Sequence, residues 1–375
     1  MSTRGYFPAA FCASLVLLAP PSGSGGLAVP KTQPRYSVTD LGTLPGVRFS
    51  RAFKINDKGQ VIGESGHAFV WESGTMTDIG TLGGPRSTAL AINDQGQIVG
   101  DSDTGRQIGG GSEVMRIYHS FLWQNGKMVS LHPLSVRDIN NKGQIAGTFF
   151  AAEEARQVQP VAQIEDASKK HPRAFVRTAD RQEDLGLLDG TTGGSAISLN
   201  NNGQVVGSCR AAGTGNSRAF LWQIGKMTAL GTLPGGENLG SDARDINDKG
   251  QVVGGSWRPP GPETHAFLWN RGRMFDLGTL GGVGSVANAI NNAGQVVGSA
   301  NAKKGQPGSA WPGHAFLWQN GKMIDLNHLI PAKSAWELQS AMDINDRGQI
   351  VGTGKRGGED RAFLLTPLPP RAGRK

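Results

Sequence analysis

Ile246-Asn247-Asp248-Lys249-Gly250-Gln251-Val252-Val253-Gly254 decides how this chain is read, because the same nine-residue phrase is written seven times. The copies begin at Ile55, Ile92, Ile139, Leu199, Ile246, Ile290 and Ile344, a mean spacing of about 48 residues. A phrase recurring at fixed phase on this scale marks a repeat architecture, in which each unit buries its apolar face only against its neighbours.

Four segments follow one another in each unit. The first ends in Ile-Asn, as in residues 89–93, and the second is the V-V-G segment. The third reads H-A-F-L-W, at 67–71, 119–123, 173–177, 218–222, 265–269, 314–318 and 361–365. After a turn such as Asn125-Gly126-Lys127-Met128 comes a fourth, D-L-G-T-L-like segment, as at 276–280. All four are short, rich in Val, Ile, Phe and Trp, and bounded by Gly or Asn, which are strand signals. The N-[DN]-x-G-Q connector supplies Asn and Asp for a turn and then a glycine where positive φ is needed, the chemistry of a hairpin loop with a bulge. No unit carries a helical apolar period. The 56 glycines therefore punctuate turns in an all-β fold of four-stranded antiparallel blades.

The ends predict how the array closes. The seventh copy has its first three strands and then runs into Pro367, Pro369 and Pro370 without a fourth. An orphan fourth-strand segment stands at the other end, at 36–44. An N-terminal strand that completes the last blade predicts a closed seven-bladed β-propeller over residues 36–366, with no free sheet edge. A short basic, proline-rich tail follows at 367–375.

Composition narrows the partners. The formal charge is +8, and Lys and Arg are scattered without runs longer than pairs such as Lys169-Lys170, so no nucleic-acid footprint is expected. Residues 1–29 have the form of a signal peptide: Arg4, an apolar stretch at 11–19, then a Pro/Gly/Ser break and small residues near Ala28. No later stretch approaches about 20 apolar residues, so no membrane span is expected after its removal. Cys12 falls in the leader and leaves Cys209 alone, a packing residue with no disulfide partner. The expectation is a monomer exported to the periplasm or outside the cell.

The phrase H-A-F-L-W…G-K-M-x-D-L-G-T-L, alternating with I-N-[DN]-x-G-Q-V-V-G, resembles the HAF-repeat family of bacterial extracellular proteins from Tyr36 to about Thr366. The third and seventh copies lack the Trp. The resemblance implies secretion and a repeat fold, and it brings no catalytic residues to carry over. Many relatives end in a surface-sorting tail, which 367–375 does not resemble.

Three repeated features look like sites and read better as scaffold. His67, His119, His265 and His314 share a position with Arg173, Arg218 and Arg361. Arg offers only donors, so the position predicts a hydrogen bond, to an Asp such as Asp78 or Asp276, and no metal. The N-[DN]-x-G-Q turns lack the D-x-[DN]-x-[DN]-G pattern and distant Glu of a calcium loop. Trp71, Trp123, Trp222, Trp269 and Trp318 recur on one strand position, as inter-blade packing does. No nucleophile elbow, H-E-x-x-H or P-loop is present, and no catalytic residue, metal or cofactor is predicted.

What does not repeat is more informative. Loops between the second and third strands run from three residues (64–66) to eighteen (101–118) and twenty-five (148–172), while the other turns keep their length. The longest carries Glu153, Glu154, Arg156, Glu165, Asp166, Lys169 and Lys170, read as a solvated excursion. In a meander these variable loops share one face with the blade-to-blade crossovers, and loops on a rigid scaffold carry binding. Trp257 and Trp311 lie in such loops of blades five and six, Trp336 in the crossover to blade seven, and Tyr118 in blade two. These four are the predicted ligand-binding residues, for an extracellular glycan or protein. The alternatives are a polymer-degrading lyase or hydrolase with carboxylates and His at the channel mouth, and a purely structural matrix protein in which the tryptophans pack down.

Overall fold

The computed structural model describes residues 36–109, 115–150, 171–179, 181–237, 239–259, 263–303 and 313–369. Seven four-stranded antiparallel sheets form the ring of a β-propeller, with blades at 51–78, 87–130, 135–184, 191–229, 241–276, 281–325 and 336–367. The seventh sheet takes its fourth strand from the N-terminus: Tyr36–Asp40 lies antiparallel to Glu359–Pro367, with Tyr36 opposite Pro367 and Asp40 opposite Phe363. The predicted closure is therefore present. Burial pushes the Tyr36 phenol up to about 12, as expected for a ring wedged into the seam.

The repeated letters map onto a two-sided packing scheme with the strand period of two. In the first blade Val61 and Phe69 face back to Val351, Ala362 and Leu364 of the seventh. Ile62 and Ala68 face forward to Ala89, Ile98 and Phe121 of the second. Every blade contributes the Phe of its H-A-F segment to this seam: Phe69, Phe121, Phe175, Phe220, Phe267, Phe316 and Phe363 are all fully buried. Removing any one to Ala would open a cavity costing about 3–5 kcal/mol.

The inner strand of every blade is bulged at one place. Its register slips between Ala52 and Lys54, Ala89 and Ala91, Val136 and Asp138, Ala196 and Ser198, Ala243 and Asp245, Ala287 and Ala289, and Ala341 and Asp343. The bulge explains the last letter of the phrase. A Cβ on Gly63, Gly254 or Gly352 would stand 1.8, 2.0 or 2.0 Å from the carbonyl oxygen of Arg51, Asp242 or Ser340. Only glycine lets the second strand approach that closely. The bulge also turns the residue before Ile-Asn into the central channel, a re-aiming that bulges commonly provide.

The fourth strand differs from the expectation. It is the K-M-x-D segment, as in Thr75–Asp78 and Arg273–Asp276, and the L-G-T-L residues leave the sheet. The physical reason is a cap. Asp78 Oδ1 accepts the Gly80 N–H at 2.8 Å and Asp276 Oδ1 the Gly278 N–H at 2.8 Å, with both glycines at positive φ. That turn ends pairing and sends the chain into the crossover. Similarly, the loop at 101–118 is largely a projecting ribbon, because Ile98–Ile108 and Met115–Gln124 stay paired as far as Ile108 and Met115.

Candidate functional site

The face formed by the N-[DN]-x-G-Q turns is a pair of closed hydrogen-bond rings. Each motif Asn donates Nδ2 to the backbone oxygen of the corresponding Asn in the next blade. The ring runs Asn56, Asn93, Asn140, Asn200, Asn247, Asn291, Asn345 and back to Asn56, at 2.9–3.1 Å. The same Nδ2 also donates to the Gln of its own turn, as from Asn56 to Gln60 Oε1 at 2.7 Å. Oδ1 of Asn56 accepts the N–H groups of Lys58 and Gln60. Both donors and the acceptor are in use, so Asp cannot replace this Asn. At the next residue Oδ1 takes the backbone N–H of its counterpart in the preceding blade at 2.7–2.9 Å all round the ring. Where that residue is Asn, its Nδ2 also donates to a neighbouring Asp: Asn141 to Asp94 at 2.6 Å, Asn201 to Asp248 at 3.1 Å and Asn292 to Asp346 at 2.8 Å. Asp and Asn can both supply the Oδ1 acceptor, and each Asn finds a carboxylate for its amide. Burial, and then the flanking Asp346 and Asp94 carboxylates, push Asp57 up.

Inside this mouth lies a polar cavity of about 170 Å3 that the sequence reading missed. The bulged position is occupied in turn by Lys54, Ala91, Asp138, Ser198, Asp245, Ala289 and Asp343. Lys54 Nζ lies 3.5 Å from Asp343 Oδ1 and 3.7 Å from Asp245 Oδ1, and its side chain keeps 27 % exposure. Ser198 Oγ is 2.9 Å from both Asp138 Oδ2 and Asp245 Oδ1. Each Asp also accepts a backbone N–H of the following blade: Leu199 to Asp138, Ile290 to Asp245 and Ile55 to Asp343. Burial pulls Lys54 down, but Asp245, Asp343 and Asp138 more than offset it and hold the ammonium above its ordinary value. Burial pushes Asp138 up and Asp343 up to about 6, against the pull of Lys54. Lys54 is thus held in its charged form between two buried carboxylates. The channel holds carboxylates around a lysine, with no His in its lining. The signal was available as a polar residue that varies at one place in an otherwise constant phrase.

The opposite face carries the capping pairs and a larger cleft. His67 Nδ1 lies 2.9 Å from Asp78 Oδ2, His265 Nδ1 2.9 Å from Asp276 Oδ2 and His314 Nδ1 2.6 Å from Asp325 Oδ2, the pairing expected. Arg173 reaches Asp184 in the same way, and His119, whose blade has no Asp there, meets Ser130 at 3.0 Å. Hydrogen bonding to Asp325 holds His314 above its usual value. These groups fix the fourth strand to the third. Among the described residues no group of His, Cys, Asp or Glu is placed to hold a metal ion.

Between blades one and two a cleft of about 690 Å3 opens on the variable face. It is walled by the crossover into blade one (Val47, Arg48, Phe49), the crossover into blade two (Pro85, Arg86) and Tyr118, which is 48 % exposed. Arg51 is committed: it pairs with Glu64 at 3.1 Å and Asp360 at 3.8 Å, and stacks over Phe49 at 5.6 Å. Glu64 is committed too, to Arg51 and to Thr88 Oγ1 at 3.0 Å. The guanidinium groups of Arg48 and Arg86 make no hydrogen bond or ion pair among the described residues and are exposed.

Of the predicted binding residues, only Tyr118 lines this cleft. Trp257 is half-buried near the end of the strand Val252–Arg258, and its backbone N–H is held by Gly240 O at 3.1 Å. Trp336 begins the strand Trp336–Ile344, packs edge-on to Phe363 at 6.0 Å and takes the Arg356 guanidinium over its ring at 5.8 Å. It is a half-buried strand residue holding the seventh blade together. Trp311, the charged insert at 151–170 and residues 1–29 lie outside the described residues. Cys209 is buried, with Sγ 3.7 Å from Met227 Sδ, and burial pushes its thiol up. Arg48, Phe49 and Arg86 had only a faint sequence signal, as odd residues in crossovers of differing length.

Residues 274–363 match the model of a family described only as a protein of unknown function (DUF3466). That segment runs from the last strand of blade five into the third strand of blade seven. No curated protein matches the chain. Among solved structures, the chain is similar to the extracellular domain of a one-component system from B. thetaiotaomicron, with a TM-score of 0.53 at 9 % identity, covering 88 % of this chain and 40 % of that one. It is also similar to a gluconolactonase from Xanthomonas campestris (0.42, 11 %, covering 92 % and 98 %). The β-propeller domain of the Trilobed protease from Pyrococcus furiosus is a third (0.47, 10 %, covering 87 % and 100 %). At such identities the likeness is one of fold. Among the described residues no helix is long and apolar enough to cross a membrane.

Proposed function

We propose that this protein is an exported, non-catalytic binding propeller that holds an extracellular ligand against its variable face, in the cleft between blades one and two. The observation that carries the reading is the coexistence in one cleft of an exposed Tyr118 with two uncommitted guanidinium groups, Arg48 and Arg86. At about 690 Å3 the cleft falls within the range of about 300–1,000 Å3 typical of ligand sites. The channel cavity, at about 170 Å3, falls below it, and its carboxylates are occupied with backbone N–H groups and Lys54. A polymer-cleaving site there has less support, because the channel carboxylates are already engaged. The HAF-like repeats and the leader at 1–29 support export.

The test is a glycan array and a pull-down of extracellular proteins with the chain lacking residues 1–29, using wild type, Tyr118→Ala and Trp257→Ala. The reading expects a ligand whose capture falls with Tyr118→Ala and survives Trp257→Ala. Capture that ignores Tyr118→Ala, or no capture at all, would overturn it.

A further inference from the structure

We infer that the cleft between blades one and two takes a carboxylate-bearing pyranose, a hexuronate unit of an acidic polysaccharide; this rests on the cleft being the binding site proposed above. The argument is one of charge left over. Three arginines and one carboxylate, Glu64, line the cleft. Arg51 is spent on Glu64 and Asp360, and Glu64 is spent on Arg51 and Thr88. What remains is Arg48 on one wall and Arg86 on the other, with no carboxylate among the described residues of the cleft free to meet them. An anion completes the site.

The two side chains are free, but their roots are held. Arg48 O accepts Arg361 Nη1 at 2.7 Å, and Arg86 O accepts the Asp103 N–H at 2.9 Å. The buried serines just after them, Ser50 and Ser87, accept the N–H groups of Ala362 and Ala68 at 3.0 and 2.9 Å. Two guanidinium forks are thus presented from rigid backbone, and the planar fork matches a carboxylate in two parallel hydrogen bonds. Phe49 and Tyr118 add flat apolar surface against which a pyranose ring can lie. Forks on separate walls suit a polymer that bears one carboxylate per ring.

The test is titration calorimetry of the chain lacking residues 1–29 with a galacturonate oligomer, its methyl-ester form and a sulfated oligosaccharide. The proteins are wild type, Arg48→Gln, Arg86→Gln and Tyr118→Ala, with circular dichroism as a check on folding. The inference expects the acid oligomer to bind, the ester to bind at least tenfold more weakly, and each arginine variant to lose about tenfold or more, as fits the loss of a charge-assisted hydrogen bond. Added salt should weaken binding by wild type more than by Arg48→Gln. An ester that binds as well as the acid, or a sulfated oligomer that binds in its place, overturns the hexuronate inference. Neutral glycan binding that depends on Tyr118 but not on Arg48 or Arg86 overturns it too while leaving the cleft as the site. Binding indifferent to all three variants overturns both.

Discussion

Replacing Lys54 with Met tests whether the channel cluster is held by charge. Lys54 stands 3.5 and 3.7 Å from carboxylate oxygens of Asp343 and Asp245, whose side chains are only 8 % and 10 % exposed. Met keeps the length of the side chain and removes the only cation in the cavity lining. Breaking a buried pair by deleting one partner costs about 3–5 kcal/mol, because the other charge is left uncompensated. That cost depends on pH in a direction the site dictates. Burial pushes Asp343 up to about 6, above its unfolded value, so the folded protein holds this proton more tightly than the unfolded chain. Its contribution is fully present below about pH 4 and is lost as pH rises through 6. Without Lys54, Asp343 rises further, and at a pH below it the variant loses little because Asp343 is protonated. Urea unfolding of wild type and Lys54→Met at pH 8 and pH 5 should show a penalty of about 3–5 kcal/mol at the higher pH, shrinking toward about 1 kcal/mol at the lower. Adding Asp343→Asn, whose amide oxygen can still accept the Ile55 N–H, should recover part of the loss at pH 8 and little at pH 5. A penalty equal at both pH values, or below about 1 kcal/mol at pH 8, would refute an electrostatic role for Lys54.

Other positions give sharper single tests. Ile224 is β-branched, 98 % exposed and held at φ 50 in a hairpin where two other blades use Asn125 and Asn320. Ile224→Asn should stabilise the protein by about 1 kcal/mol in thermal unfolding, and no change would show that the turn is unstrained. Asn200→Asp removes donors to Gln204 and to Asn247 O, and should cost about 2–4 kcal/mol by chemical denaturation. Asp57→Asn, at the ring position whose Oδ1 accepts the Asp346 N–H, should stay within about 1 kcal/mol, and equal effects at the two positions would contradict the distinction between the rings. Deleting residues 1–40 leaves the strand Glu359–Pro367 as an open edge; light scattering should show concentration-dependent association that the full ring lacks, and a stable monomer would argue against edge closure by Tyr36–Asp40.

The repeat made most of the fold legible. A local phrase written seven times reveals its strands, its turns and its closing strand, because each blade meets the same neighbours. What the phrase hid was which hydrogen bonds its letters make. Asn56 looked like a turn residue, and it is one, yet Nδ2 also crosses to Asn93 O in the next blade. No local rule anticipates a bond made between repeats. Gly63 looked like the end of a strand, and it proves to be the residue that admits the Arg51 carbonyl at a bulge. Trp336 breaks the repeat in sequence, but its ring is taken up by Phe363 and Arg356, so novelty there serves packing. A single arginine in a short crossover is ordinary, and only the lining of one shared cleft sets Arg48 and Arg86 apart.

Symmetry itself limits where recognition can reside. The Asn ring presents the same chemistry seven times around the axis, the acceptor ring repeats one backbone contact seven times with Asp or Asn, and both are closed on themselves. Every donor that the motif Asn offers is already used, so this surface has little left to give a partner. Asymmetry appears at the bulged channel position, where Lys54, Ser198 and three Asp break the repeat, and at the crossovers into blades one and two. In the channel the broken symmetry is satisfied internally, since each Asp serves a backbone N–H of the following blade and two of the three also face Lys54. In the cleft it is not, since Arg48 and Arg86 face solvent without a counter-charge among the described residues. An asymmetric feature that the fold has already neutralised works for stability; one that it leaves uncompensated on a rigid wall is where a ligand's charge does the compensating. That difference is the reason for proposing recognition at blades one and two.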